Sequence, residues 1–212
     1  GISVSSSHKG FSPQDGADRM VERARAARQA DLDSLFVGDH HVTPFPYFQN
    51  SVILARMLNE WGEKPFGALY LLPLWHPVIL AEQIATLASL SRAPFILQCG
   101  LGDDRQGRAM GIDMKHKVGR FVSCLEVMRA LWQGRSVEEN RFWNIKAEQI
   151  APLPSHEVEV WIGSVVEKAI KRTAKLGDGW LASPGLTPDQ ANQAIKEYKR
   201  YCDLFDRKPL CA

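Results

Sequence analysis

The strongest chemical signal in the sequence is a run of one acid and two histidines that directly follows an apolar segment. Asp39, His40 and His41 come after the apolar residues 34–38, and His76 follows a second apolar run at 66–72. Three of the six histidines therefore stand at the ends of predicted strands. A carboxylate can orient an imidazole that acts as an acid, a base or a hydrogen-bond donor near neutral pH. The alternative interpretation is structural, with Asp39 capping a loop and the histidines bonding backbone groups.

A metal site is the weaker interpretation of these histidines. The first predicted strand is followed only by the lone His8, whereas metal-dependent barrel hydrolases begin with an H-x-H pair. Adjacent histidines such as His40 and His41 do not converge on one ion without help from a loop. The cysteines are scattered as well, at positions 99, 124, 202 and 211, which favours reduced thiols over a zinc site or disulfides. The sequence therefore predicts no metal.

Two turns that contain glycine could hold a ligand. Gly163 and Ser164 precede a predicted helix, whose free N–H groups and positive dipole end attract phosphate. The residues Ser164-Val165-Val166-Glu167 also have the pattern of a helix capping box. Gly100 and Gly102 either let a ligand approach the backbone or simply form a turn.

The elements that must position these residues alternate between strands and helices. This order indicates crossover connections and a parallel sheet. The turn after the first strand lacks a G-x-G-x-x-G motif, which disfavours an open dinucleotide-binding sheet and favours a closed (β/α) barrel. The predicted strands are Ile2–Ser5, Ser34–Gly38, Phe66–Leu72, Phe95–Cys99, Val158–Ile162 and Gly179–Ala182. The predicted helices span 13–30, 77–90, 115–132, 165–176 and 188–205.

The composition is that of an ordinary globular protein. The chain has 212 residues, 45% of them hydrophobic and 24% charged, with a formal charge of +2. The length predicts one domain over residues 1–212. The weak charge argues against nucleic acid as a partner. No apolar window predicts a signal peptide or a membrane span, so we expect a soluble, cytoplasmic protein.

Several motifs, in collinear order, resemble the bacterial luciferase-like family of flavin-dependent oxidoreductases and monooxygenases. Residues 36–44, FVGDHHVTP, resemble the end of that family's second strand, where an acid and one or two histidines follow. Residues 72–78, LPLWHPV, with AEQ at 81–83, are similar to its third-strand exit. The resemblance continues at 95–102, 111–113, 131–134, 160–164 and 177–180.

The resemblance implies a (β/α)8 TIM barrel that binds FMN, or alternatively coenzyme F-420, at its C-terminal mouth. It implies that His40 lines the substrate side of the flavin ring as a proton donor or acceptor and that Asp39 orients it. His41, Trp75 and His76 are expected on the substrate side. The coenzyme would contact Ala68 and Leu69, where the family often has a non-proline cis peptide, and also Gly100, Gly102 and the phosphate-binding turn Gly163, Ser164 and Val165.

The resemblance implies a two-component FMN monooxygenase that acts on a small molecule and receives reduced flavin from a separate reductase. An F-420-dependent hydride-transfer enzyme and a non-catalytic flavin-binding protein are the alternatives. A homodimer is expected by analogy.

Two departures from the family bear on these expectations. Gly100 stands where luciferase has a phosphate-binding arginine, so Arg105 or Arg108 would substitute for it. Six strands are predicted where a closed barrel needs about eight. We therefore expect that a C-terminal portion is omitted, or that the barrel is completed by a partner or is abbreviated.

Overall fold

The computed structural model describes residues 1–211, in which strands and helices alternate along the chain. The strands are β1 (Ile2–Val4), β2 (Leu35–Val37), β3 (Phe66–Leu71), β4 (Phe95–Gly100), β5 (Val137–Glu139), β6 (Ile145–Ala147), β7 (Glu159–Gly163) and β8 (Gly179–Leu181). The helices are α1 (Pro13–Gln29), α2 (Asn50–Trp61), α3 (Pro77–Ser89), α4 (Asp104–Ala109), α5 (Lys117–Trp132), α6 (Glu167–Leu176) and α7 (Pro188–Leu204). The expected single domain comprises two compact units, one of residues 1–95 and 101–158, the other of residues 96–100 and the chain from Glu159 onward.

The first unit is built on the parallel strands β1, β2 and β3. Leu35 of β2 lies opposite Ile2 of β1 on one side and Phe66 of β3 on the other. All three residues of β2 are buried, as its uninterrupted apolar sequence predicts for a strand covered on both faces. Helix α1 packs against α2, and α3 packs against α5. Parallel strands of this kind present their carboxyl ends at one edge, where Asp39 follows β2.

The second unit contains three further parallel strands. Leu97 of β4 lies opposite Val160 of β7, and Ile162 of β7 lies opposite Trp180 of β8. Helix α6 packs against α7. An apolar cluster fills the space between the helices and β8; its buried members are Ile170, Ala174, Trp180, Ala194, Tyr198, Tyr201 and Cys202.

The predicted helix starts are confirmed at two places and wrong at a third. The Ser12 side chain accepts a hydrogen bond from the Asp15 amide, and Thr187 and Gln190 form a reciprocal capping box. The capping box predicted at Ser164 does not form, because α6 begins only at Glu167 and Val166 is its N-cap residue. Ser164 is buried two residues before the cap, and its hydroxyl instead accepts a hydrogen bond from Thr173 at 2.9 Å.

The cis peptide expected at Ala68–Leu69 is also wrong. This peptide bond is trans, and the one cis bond within residues 1–211 is Ala151–Pro152. Ala68 remains in regular register with Val37 of β2, so the extended trans backbone keeps the ladder of parallel hydrogen bonds intact. A non-proline cis bond costs about 3–4 kcal/mol more than a trans bond.

Four elements, two helices and two strands, were not predicted. Helix α2 buries Ile53, Leu54, Met57, Leu58 and Trp61, a helical spacing that the sequence does contain. Helix α4 has only 6 residues and starts where the Asp103 side chain accepts from the Gln106 amide. Strands β5 and β6 form an antiparallel hairpin.

Two further observations concern the chain as a whole. None of the helices within the described residues combines the length and the apolar composition that crossing a bilayer requires. No disulfide forms among Cys99, Cys124, Cys202 and Cys211, and the first three are buried.

Candidate functional site

Asp39 joins the ends of two neighbouring strands through one carboxylate oxygen. The residue lies two positions after β2 and is only 6% exposed. Its Oδ2 accepts a hydrogen bond from the Leu71 amide at 2.9 Å and another from Trp75 Nε1 at 2.8 Å. The carboxylate is thus fixed between the end of β3 and the turn that follows it.

The second carboxylate oxygen of Asp39 faces His41, not His40. Nε2 of His41 lies 3.1 Å from Oδ1 of Asp39, and both side chains are buried. The two atoms form a close pair, but neither makes an aligned hydrogen bond within the described structure. The His41 ring meets the Trp75 ring edge-on, with centroids 5.4 Å apart. The expectation that Asp39 orients His40 is therefore wrong, because successive side chains after the strand point in different directions.

His40 is half-buried and faces a different set of neighbours. Its ring is tilted against that of Tyr47, with centroids 5.6 Å apart. Its Nε2 lies 3.4 Å from a terminal guanidinium nitrogen of Arg105. Of the two adjacent histidines, His40 is the more accessible to a ligand, since His41 is only 9% exposed.

Tyr47 is a site residue that the sequence did not single out. A Cβ atom at Gly38 would lie 2.6 Å from the Tyr47 hydroxyl, so glycine at this position lets the phenol approach the end of β2. Burial, and to a smaller extent the negative charge of Asp39, raise the pKa of Tyr47, while the nearby Ser6 hydroxyl opposes this rise. The phenol therefore stays protonated at neutral pH. A glycine directly before the acid is the signal that could have indicated this approach.

Helix α4 holds the backbone of the same segment. The buried Gln106 side chain accepts a hydrogen bond from the His41 amide at 2.7 Å. Arg105 donates to the Val42 carbonyl at 2.8 Å and to the His41 carbonyl at 3.4 Å. Arg105 therefore binds this turn, whereas the sequence suggested it as a phosphate ligand. Arg108 lines a separate cavity with Asp113 and Lys115.

The remaining predicted residues of the first unit are dispersed. Trp75 belongs to the Asp39 group through its indole nitrogen. His76 is exposed, and its nearest ring neighbour is Trp143 at 6.0 Å. Ala68 is fully buried, and the Leu69 carbonyl accepts from the Asn50 side chain at 2.7 Å. Gly102 has a φ of +70°, and an added Cβ would lie 3.3 Å from Leu74.

The other predicted coenzyme contacts belong to the second unit. Gly100 ends β4 and Gly163 ends β7. Gly163 is exposed, and Val165 is 51% exposed at the amino-terminal side of α6. Ser164 is 7% exposed, and its carbonyl accepts from the Trp180 indole at 2.9 Å. The backbone of the turn is thus accessible to a ligand, whereas the buried Ser164 hydroxyl accepts a hydrogen bond from Thr173.

Buried polar atoms after β2, and one after β1, lack an aligned hydrogen-bond partner. Asp39 Oδ1, His41 Nε2 and His8 Nδ1 are buried without an aligned hydrogen-bond partner in the described part of the chain. Such atoms are costly unless a ligand or water completes them. The arrangement suits a ligand that carries both hydrogen-bond donors and acceptors. Residues 1–211 contain no group of three His, Cys, Asp or Glu side chains placed to hold a metal ion.

Known proteins resemble the chain in sequence. Residues 1–209 match the luciferase-like monooxygenase family. The F-420-dependent glucose-6-phosphate dehydrogenase of Mycobacterium avium is 25% identical over 206 residues, which cover 90% of this chain and 61% of that protein. The chain spans 56% to 66% of the length of the curated relatives that it matches.

Solved structures resemble the fold. The oxygenating constituent of 3,6-diketocamphane monooxygenase from Pseudomonas putida, in complex with FMN, has a TM-score of 0.83 at 18% identity and covers 96% of this chain and 62% of that chain. An F-420-dependent secondary alcohol dehydrogenase with an F-420–acetone adduct has a TM-score of 0.81 at 18% identity, over 97% and 63%. These likenesses confirm the predicted fold, an incomplete (β/α)8 barrel. The match over residues 1–209 confirms the resemblance carried by the sequence motifs, and the chain belongs to the luciferase-like monooxygenase family.

Proposed function

We propose that the chain carries the coenzyme site of an oxidoreductase that exchanges a hydride between a flavin-type coenzyme and a small organic substrate. The observation that carries the proposal is the group at the end of β2. A buried acid and a buried histidine there retain unsatisfied polar atoms beside the accessible His40. Buried polar groups that lack a full set of hydrogen-bond partners are typical of functional sites.

Coenzyme F-420 is the first candidate for the coenzyme. Curated relatives that match the sequence include F-420-dependent glucose-6-phosphate dehydrogenases, and a solved structure with a similar fold holds an F-420 adduct. FMN is the second candidate, because another solved structure with the fold contains FMN. The pair His40-His41, from which the sequence favoured FMN, is consistent with either coenzyme.

The residues present fit either coenzyme. Both coenzymes combine a tricyclic ring, whose edge carries carbonyl and N–H groups, with a phosphate on a ribityl chain. Asp39 Oδ1 and His41 Nε2, which lack aligned hydrogen-bond partners, would bond the ring edge. In the second unit, considered by itself, the turn Gly163, Ser164 and Val165 precedes α6, and the free N–H groups at the start of that helix suit a phosphate.

The coenzyme, when bound, supplies a ring that accepts or donates a hydride. The chain's own residues then position the substrate and move the proton. Asp39 holds Trp75 and faces His41, so the wall of the site is fixed before any ligand arrives. His40, being accessible, would donate a proton to the substrate oxygen or accept one from it.

A binding measurement with both coenzymes tests the proposal. The chain is titrated with F-420 and, separately, with oxidised and reduced FMN, and binding is followed by the coenzyme's visible absorbance. We expect saturable binding of F-420 that falls at least tenfold in the His40→Asn variant. His156→Asn is the matched control, because His156 is exposed and lines a cavity with Glu63 and Arg92, away from the Asp39 group.

Turnover then distinguishes the reactions. Reduction of F-420 by a panel of alcohols and sugar phosphates, independent of oxygen, supports the hydride-transfer enzyme. Binding of reduced FMN alone, with oxygen uptake that depends on an added flavin reductase, supports the two-component monooxygenase. Binding without turnover of any substrate supports the non-catalytic alternative. Failure to bind F-420 and FMN in either redox state contradicts the proposal.

We also propose that the chain forms a homodimer through the groove between α2 and α3. A cavity of about 570 Å³ lies there, and six of its twelve lining residues are apolar. At its rim Val52 is 75% exposed, Ile79 49% and Leu90 56%. Contiguous exposed apolar surface of this kind is typical of protein interfaces.

A further inference from the structure

We infer that Arg105 and Gln106, neighbours on α4, are positioning residues that fix the turn at residues 40–42 and set which ring nitrogen of His40 carries the proton. The effect of these contacts on catalysis rests on the proposed function, in which His40 exchanges a proton with the substrate. Its physical basis lies entirely in contacts among side chains and backbone of the first unit.

Gln106 fixes the backbone of the turn from inside the protein. The residue is 2% exposed, and its Oε1 accepts the His41 amide at 2.7 Å. Its Nε2 donates to Asp103 Oδ2 at 2.9 Å, while the Gln106 amide donates to Asp103 Oδ1 at 2.8 Å. These hydrogen bonds lower the pKa of the Asp103 carboxyl, so Asp103 stays ionised and keeps accepting them. The Gln106 side chain is therefore held at both ends.

Val42 is strained, and Arg105 bonds its carbonyl. Its φ is +46°, in the left-handed region that a β-branched residue rarely adopts. Arg105 Nη1 donates to the Val42 carbonyl at 2.8 Å, and Nη2 reaches the His41 carbonyl at 3.4 Å. Strained backbone of this kind persists only where the surrounding structure holds it. The contacts with α4 are what hold it here.

The same guanidinium determines the form of the His40 ring. Arg105 Nη2 lies 3.4 Å from His40 Nε2. A guanidinium has donors and no acceptor, so the contact requires a lone pair on Nε2 and places the single proton of the neutral ring on Nδ1. The Nδ1–H group is then the one that His40 offers to a ligand. Arg108, on the same short helix, lines a different cavity and serves as the matched control.

Nitrogen NMR of the histidine rings tests the inference without any coenzyme. The full chain is labelled with ¹⁵N-histidine, and the two ring nitrogens of His40 are assigned above the pH at which the ring is charged. We expect the Nδ1–H form in the wild type and in Arg108→Leu. We expect a shift to predominantly Nε2–H in Arg105→Leu, because a free imidazole favours that form. Arg105 is exposed, so its truncation leaves the core intact.

Hydrogen exchange tests the Gln106 contact. In the wild type the His41 amide should exchange at least tenfold more slowly than in Gln106→Leu, and Arg108→Leu should match the wild type. If Gln106→Leu does not fold, Arg105→Leu and Arg105→Lys provide the test, because lysine keeps the charge but lacks the planar guanidinium fork that reaches two acceptors at once. Lysine should restore only part of the Nδ1–H population.

The outcomes separate the inference from the proposed function. An unchanged His40 tautomer in Arg105→Leu, or an Nε2–H form in the wild type, overturns the inference whether or not a coenzyme binds. If the tautomers are those expected, F-420 should bind about tenfold more weakly to Arg105→Leu than to the wild type. If the tautomers are those expected but the wild type binds neither F-420 nor FMN, the proposed function is overturned. The positioning contacts are then still established.

Discussion

At the scale of single residues, Asp39 has two separable tasks. One oxygen satisfies two buried donors, the Leu71 amide and the Trp75 indole, and the other faces His41. The first task requires a hydrogen-bond acceptor, and the second is a contact with an imidazole nitrogen. Asparagine can perform the first with its carbonyl oxygen while turning its amide group to His41, so substitution can separate the two tasks.

Replacing Asp39 by alanine should therefore destabilise the protein far more than replacing it by asparagine. Asp39→Ala leaves two buried donors without a partner, and we expect a loss of about 2–4 kcal/mol in the free energy of unfolding. Asp39→Asn should lose less than about 1 kcal/mol. Urea unfolding measures both, with Asp104→Ala as a control, because Asp104 pairs with Lys117 at an exposed position. Equal losses for the two Asp39 variants would show that the carboxylate does not hold the strand ends.

The sequence identifies Asp39, His40 and His41 as candidates but not their partners. Residue types and a position after an apolar run suffice to select the three. The pairing of Asp39 with His41 depends on the direction of each side chain after β2, which a sequence does not specify. The contact between Gln106 and the His41 amide spans 65 positions, and a single glutamine is not part of any sequence motif that indicates such a contact. Long-range contacts to backbone are therefore invisible in a single sequence.

At the scale of elements, β3 is linked to α2 by a buried phenol. The Tyr70 hydroxyl lies 2.8 Å from the Ser51 hydroxyl. The Ser51 hydroxyl in turn donates a hydrogen bond to Gln83 Oε1 of α3 at 2.9 Å. Burial raises the pKa of Tyr70 well above its ordinary value. The folded chain thus binds the Tyr70 proton at pH values where the unfolded chain has released it.

Stability should consequently fall as the pH rises above about 10, where tyrosine ionises in the unfolded chain. A folded-state pKa raised above the unfolded value gives a contribution that is complete below the unfolded pKa and is lost as the pH climbs through the folded one. Tyr70→Phe should cost about 1 kcal/mol at pH 7 through the lost hydrogen bond. It should also make the decline above pH 10 shallower. Urea unfolding between pH 7 and 11 measures the slopes; an identical alkaline slope in the variant would contradict this account.

Substitution of Gly102 by alanine tests how tightly the turn that leads into α4 is packed. Its φ of +70° and the nearby Leu71 and Leu74 side chains both oppose an added methyl group. Gly111 has a φ of +71° with nothing within 4 Å, so Gly111→Ala measures the backbone strain alone. We expect Gly111→Ala to cost about 1–2 kcal/mol, and Gly102→Ala to cost more and to weaken coenzyme binding. A Gly102→Ala cost no greater than that of Gly111→Ala, in thermal or urea unfolding, would exclude crowding at the turn.

The strands were the most predictable elements because each is a short apolar run closed by polar or glycine residues. All six predicted strands occur, with no end displaced by more than one residue. The capping box at Ser164 failed because the four-residue pattern does not reveal where a helix begins. Its serine packs inward against Thr173. Helix α2 went unpredicted because its N-cap, Gln49, makes no side-chain capping bond. Its buried stripe was nevertheless present in the sequence.

At the scale of the whole molecule, the exposed groove between α2 and α3 predicts the oligomeric state. A carboxylate at Val52 would place charge in the apolar rim, and burying a charge in an interface is costly. We expect the wild type to have the mass of a dimer and Val52→Glu that of a monomer in light scattering coupled to size exclusion. Val118→Glu is the control, because Val118 is 42% exposed on α5 outside the groove. A monomeric wild type, or a dimeric Val52→Glu, would contradict the groove as the interface.

The central claim, that the end of β2 binds the coenzyme ring, is tested most directly by the histidine ring signals in NMR while F-420 is added. The chain has six histidines, so sites inside and outside the proposed pocket are observed together. We predict that the His40 and His41 signals shift saturably, while those of the exposed His116 and His156 stay in place. Saturating F-420 that leaves His40 and His41 unmoved, or that shifts only His116 or His156, would contradict the claim.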